Sequence, residues 1–143
     1  MPVPIEIIKM KENSDNREYV KEQVKIQGSL LEHACLELRD DKEIVMEAVK
    51  NNPEALEFAS DRLKEDRDIV FESVSKAGWT YCYARGELMQ DKELLLAGLK
   101  VTGQILYYAD INMRDDEDVV LEAVKNKPII IKKILWNCII PSI

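Results

Sequence analysis

A 25-residue pattern runs through this chain without a gap, and it limits the possible folds more than any other feature. Five blocks begin at Asn16, Asp41, Asp66, Asp91 and Asp116. The second opens Asp41-Lys42-Glu43-Ile44-Val45-Met46-Glu47-Ala48-Val49-Lys50, and the fifth opens Asp116-Glu117-Asp118-Val119-Val120-Leu121-Glu122-Ala123-Val124-Lys125. Apolar columns keep register throughout. They read Val20, Val45, Val70, Leu95, Val120; then Val24, Val49, Val74, Leu99, Val124; then Ala34, Ala59, Ala84, Ala109, Ile134; and Leu38, Leu63, Leu88, Met113, Cys138. Self-similarity at such a period marks stacked supersecondary units, each too small to bury its apolar side alone.

Within a block the spacing predicts two short helices. Ile44, Val45, Ala48 and Val49 fall on one stripe of a 3.6-residue period. Met46 lies off that stripe, as do Phe71, Leu96 and Leu121, so the first helix is expected to bury two sides. Asp40 with Glu43, Asp15 with Glu18, and Asp115 with Asp118 mark its start, because carboxylates accept the unpaired N–H groups of a first turn. Its stop falls at Gly28, Pro53, Gly78, Gly103 or Pro128, where Gly suits a left-handed C-terminal turn and Pro opens the next helix. The second helix is expected over 53–61, with Ala55, Leu56, Phe58 and Ala59 inward and Leu63 filling the gap before the next block.

The fold class that follows is all-α: tandem two-helix repeats forming a right-handed superhelical array or a compact helical bundle. Residues 16–143 read as a single repeat domain, with blocks 16–40, 41–65, 66–90, 91–115 and 116–140. Pro2 and Pro4, and the lack of helical periodicity around them, predict an extended arm over 1–15.

The motif D-[KR]-[ED]-[IV]-V-x-E-A-V-K, followed by x-A-L-x-x-A-S-x-x-L, is clearest over 41–63 and 116–125. It resembles the tandem helical repeats of domain of unknown function 4116, and the resemblance covers about residues 16–135. Block three departs from it at Gly78-Trp79-Thr80-Tyr81-Cys82-Tyr83-Ala84-Arg85-Gly86, where alanine and leucine are more usual. The resemblance implies tandem helical repeats, often inside larger proteins, and brings no catalytic residues with it.

Composition narrows the function classes. The chain carries 27 acidic and 20 basic side chains, a net charge of −7, which argues against a nucleic-acid partner because phosphate binding needs a basic face. Apolar residues make up 46%, enough for a core. No apolar run reaches the roughly 18 residues of a membrane span. The first residues lack the basic-then-apolar order of a secretory signal. Cys35, Cys82 and Cys138 stand far apart and odd in number, as reduced cysteines do, and a cytoplasmic location is expected. One His and three Cys leave little material for a metal site, and no cofactor is expected.

Candidate chemistry is sparse. His33 and Cys35 are close in sequence, but residues two apart on a helix do not face each other, and His33 shares a column with Phe58, Tyr83 and Tyr108 at the core edge. The acids fall in two columns: Glu18, Glu43, Asp68, Glu93, Asp118, and Glu22, Glu47, Glu72, Glu122. Helix capping and a solvated face explain them better than a docking ridge does. No Gly-rich phosphate loop, nucleophile elbow or H-E-x-x-H is present, so no catalytic residue is assigned.

The leading reading is a non-catalytic helical repeat module that binds another protein. The alternatives are a cap or spacer domain of a larger protein and, more weakly, an uncharacterised enzyme. The binding patch is expected at Trp79, Cys82, Tyr107 and Ile129. Trp79 aligns with Ser29, Glu54 and Gln104, and Tyr107 with Glu32, Glu57 and Cys82, and positions that take Ser, Glu or Gln elsewhere in the array are expected to face solvent. The C-terminal Ile129, Ile130, Ile131, Ile134, Leu135, Trp136, Ile139 and Ile140 hold much apolar surface. Either a helix closes the core there, or a further block or second copy covers it, giving a homo-oligomer.

Overall fold

The computed structural model describes residues 2–126. Among them are α-helices and 3-10 helices and no strand, so the all-α tandem architecture holds. The α-helices are α1 (Ile5–Glu12), α2 (Arg17–Ile26), α3 (Lys42–Asn51), α4 (Arg67–Lys76), α5 (Lys92–Val101), α6 (Ile111–Arg114) and α7 (Glu117–Asn126). The first helix of every block is ten residues long and starts 25 residues after the last one. The chain divides into two compact units between Ser73 and Val74, within α4.

The helix start lies one residue later than the carboxylate pairs suggest. Asp41 is the N-cap of α3, with extended backbone, and its Oδ1 accepts from Glu43 N and Ile44 N. Asn16, Asp91 and Asp116 occupy the same position and accept from Tyr19 N, from Leu94 N, and from Asp118 N and Val119 N. A cap needs non-helical φ and ψ so that its side chain can turn back on the first N–H groups, and position 41 supplies them. Asp40 does other work: it accepts from the Ser60 hydroxyl and the Arg62 guanidinium in the following block. The off-stripe positions are not fully buried. Met46 and Leu96 are half-buried, and Phe71 and Leu121 are exposed.

Among the described residues the second helix of a block is a six-residue 3-10 helix, not an α-helix running to 61. The four are Gly28–His33, Pro53–Phe58, Gly78–Tyr83 and Gly103–Tyr108. Each ends at the alanine column, where Ala34, Ala59, Ala84 and Ala109 carry ψ near 150°. A 3-10 helix has three residues per turn, so residues i and i+3 eclipse. The buried set Gly28, Leu31, Ala34 follows that period, as do Gly78, Tyr81, Ala84 and Gly103, Leu106, Ala109. A second inward column reads Leu30, Ala55, Thr80 and Ile105.

The glycines that follow the first helices are not left-handed, since among the described residues only Gly86 has a positive φ. They are there for closeness. A Cβ on Gly28 would strike the Ala48 carbonyl oxygen, and one on Gly78 would strike the Gly98 carbonyl oxygen. The column Ala48, Ser73, Gly98, Ala123 is small for the same reason. At Pro53 the approach is met by the buried Ser73 hydroxyl, which donates to Pro53 O at 2.8 Å.

In the first unit α2 packs on α3, and the 3-10 helices of blocks one and two pack on each other and on α3. The second unit repeats the arrangement: α5 packs on α7, Gly78–Tyr83 packs on Gly103–Tyr108, and both 3-10 helices reach α5 or α7. The expected arm over 1–15 is corrected. Ile5–Glu12 is α1, opened by Pro4, whose fixed φ is compatible with a helix entry. Met10 is fully buried, and α1 packs on Gly28–His33. Ser14 O accepts from Cys35 N at 2.9 Å, as Arg39 O accepts from Ser60 N at 3.0 Å one block later. Residues 5–14 therefore act as the second half of a preceding block and cap the first.

Candidate protein-binding face

Charge is organised between blocks. The second residue of blocks one, two and four is a cation that grips the N-cap acid and the acid two residues on in the next block. Arg17 pairs with Asp41 at 2.8 Å and with Glu43. Lys42 pairs with Asp66 and Asp68 at 2.8 and 3.0 Å. In the second unit Lys92 pairs with Asp116 and Asp118 at 2.9 and 2.8 Å. Hydrogen bonds from Lys21 and then Arg17 draw the Glu43 carboxyl down to about 2. Burial opposes ionisation of Asp41, but Arg17 and the capped N–H groups outweigh it and the carboxyl stays below its ordinary value. Lys42 and Lys92 are raised by the carboxylates they hold. These acids are thus capping and clipping groups with a structural task.

Among the described residues no hydrogen bond joins His33 to Cys35, and His33 Nε2 lies 4.0 Å from Glu32. Cys35 uses its backbone N–H on Ser14 O. Tyr81, buried in block three, donates to Met89 O at 3.0 Å, and burial pushes its hydroxyl up to about 12.

The remaining distinctive surface belongs to the second unit. In the 3-10 helix Gly78–Tyr83, Trp79 is 40% exposed and stands edge-on to Tyr83, with ring centres 5.8 Å apart. In Gly103–Tyr108, Tyr107 and Tyr108 are 65% and 54% exposed and make a second edge-on pair at 5.8 Å. Arg114 steadies that end. Its Nη2 donates to Tyr107 O at 2.7 Å, its Nε donates to Ala109 O, and its guanidinium sits 5.9 Å from the Tyr107 ring. Cys82 is half-buried beside them in sequence, and Gln104 is exposed. Eclipsing at i and i+3 puts Trp79 with Cys82 and Gln104 with Tyr107 on the outer edge of each segment. Ile129 and the apolar C-terminal residues lie outside the described residues. Tyr108 was not singled out by sequence reasoning, because its column holds half-buried His33, Phe58 and Tyr83 in the other blocks.

The family model for Domain of unknown function (DUF4116) matches residues 16–63, 41–89 and 91–136. The chain belongs to the DUF4116 family. Each match starts at or beside a block start and takes in nearly two blocks, so one DUF4116 unit corresponds to a pair of 25-residue blocks. Comparison with curated proteins and with solved structures gave no match. Within this DUF4116 chain, the clip residues Arg17, Lys42 and Lys92 escaped the sequence reading. Their signal was a cation column, Arg17, Lys42, Arg67, Lys92, lying 24 and 26 residues before acids. Among the described residues no helix is long and apolar enough to cross a membrane.

Proposed function

We propose that this DUF4116 chain is a non-catalytic repeat module that binds another protein through the aromatic edge of its second unit. The observation that carries the reading is the exposure of Trp79 and Tyr107 at positions where the first unit has Ser29 and Glu54, and Glu32 and Glu57. The scaffold does not need an aromatic ring at positions 79 and 107, because Ser or Glu serves there in both blocks of the first unit. Trp and Tyr are the residues most enriched at interface hot spots, where truncation costs about 2 kcal/mol or more.

The test is affinity capture from cells with the wild-type chain and with Trp79→Ala and Tyr107→Ala. Partner loss with an unchanged melting temperature supports docking. Equal capture by all three chains removes the aromatic edge from the interface and favours a spacer role.

A further inference from the structure

We propose that the aromatic edge of the second unit takes a proline-rich segment of its partner in the polyproline II conformation, with an acidic residue beside the prolines. This rests on the docking role argued above and names the chemistry of the occupant.

Charge is the first argument. The segments Gly78-Trp79-Thr80-Tyr81-Cys82-Tyr83 and Gly103-Gln104-Ile105-Leu106-Tyr107-Tyr108 contain no Asp, Glu, Lys or Arg. Their counterparts in the first unit carry Glu32, Glu54 and Glu57. A basic helix or basic peptide finds no carboxylate on these two segments. The Arg114 guanidinium stands beside the exposed Tyr107 ring. A carboxylate in the occupant complements it.

Hydrogen-bond polarity is the second argument. The Trp79 indole supplies only a donor, and the Tyr107 and Tyr108 hydroxyls and the Gln104 amide can donate as well as accept. An occupant rich in acceptors satisfies all four. Proline has a carbonyl and no N–H, and a polyproline II strand leaves its carbonyls without internal partners.

Shape and entropy agree. Edge-on ring pairs give flat apolar faces meeting at an angle, against which pyrrolidine rings seat, and aromatic-lined surfaces are a recurring mode of polyproline recognition. The 3-10 helices that carry the rings pack on each other, and Arg114 holds the Tyr107 end. Both partners are therefore ordered before they meet, and little conformational freedom is lost.

The experiment is calorimetric titration of the full chain with synthetic oligoprolines of about ten residues. One is unmodified, one flanked by glutamate and one flanked by lysine. Saturable binding is expected, with the glutamate-flanked peptide favoured over the lysine-flanked one by about threefold or more. Arg114→Gln removes that preference. Trp79→Ala weakens binding by about tenfold or more. Tyr107→Ala, at a more exposed position, provides the same readout should Trp79→Ala fold poorly. No saturable binding at millimolar peptide overturns the proposal, as does equal binding by the folded ring variants. If oligoproline fails while Trp79→Ala still abolishes capture from cells, the occupant is wrong and the docking role stands. If both fail, both fall.

Discussion

The Oδ1 of Asn51 accepts the N–H of Gly28 at 2.7 Å, so the last residue of α3 closes the turn at the end of α2. The same amide donates through Nδ2 to the Lys25 and Ile26 carbonyls at 3.0 and 3.2 Å. One side chain thereby satisfies groups that a helix C-terminus leaves open. Asn51→Ala removes all three bonds and leaves the buried Gly28 N–H without this acceptor. A loss of about 1–3 kcal/mol is expected in urea denaturation. Hydrogen exchange at Gly28 should accelerate in the variant, and unchanged protection there would contradict the assignment.

Gly78→Ala and Gly98→Ala should differ in size of effect. The new Cβ at position 78 meets the backbone oxygen of Gly98, which cannot move without shifting α5. At position 98 it meets the ends of the Ile105 and Val74 side chains, which can rotate. We expect a loss of about 1–3 kcal/mol for Gly78→Ala and less for Gly98→Ala, measured by thermal and chemical unfolding. The reverse order would mean that α5 yields more readily than its side chains.

Much of this was legible in the sequence, and the reasons differ by feature. The columns Val20 to Leu95 and Val24 to Leu99 showed directly because burial at 25-residue spacing leaves the same residue types in place. The 3-10 form of the second helix was missed although its signal was present. Gly28, Leu31, Ala34 and their equivalents repeat every three residues, which short windows confuse with a 3.6 period. The clips from Arg17 and Lys42 were not legible from one block, because the offset between stacked neighbours is a tertiary quantity. Helix α1 was hidden by Pro2 and Pro4, whose breaking power matters inside a helix and not at its entry. The exposure of Trp79 and Tyr107 was readable because sister blocks place Ser, Glu or Gln there.

Acid should loosen the first unit through Glu43. Its folded carboxyl is held near 2, below the ordinary value of 4.5, by Lys21 and Arg17. A depressed carboxyl contributes stability that is fully present above the unfolded value and is lost as pH falls through the folded one. The melting temperature should therefore decline between about pH 4.5 and pH 2. Glu43→Gln should decline less steeply over that window, and parallel curves would show that the clip has no linkage to folding.

Met10→Ala tests the half-block cap. Met10 is fully buried although it lies outside the five blocks, and truncating such a side chain costs about 2–5 kcal/mol. An extended, unattached arm would instead give a change near zero. Denaturant midpoints of the two chains distinguish these results.

The clip between blocks also bears on how such chains change length over evolutionary time. Every clip in the two units links residues separated by 24 or 26 positions, one short of a block or one past it. A duplication or deletion of any one of the blocks 41–65, 66–90 and 91–115 brings a cation opposite a cap acid again at the new junction. Gene segments of 75 nucleotides, three for each residue of a 25-residue block, are thus the units in which this chain can grow or shrink without redesign.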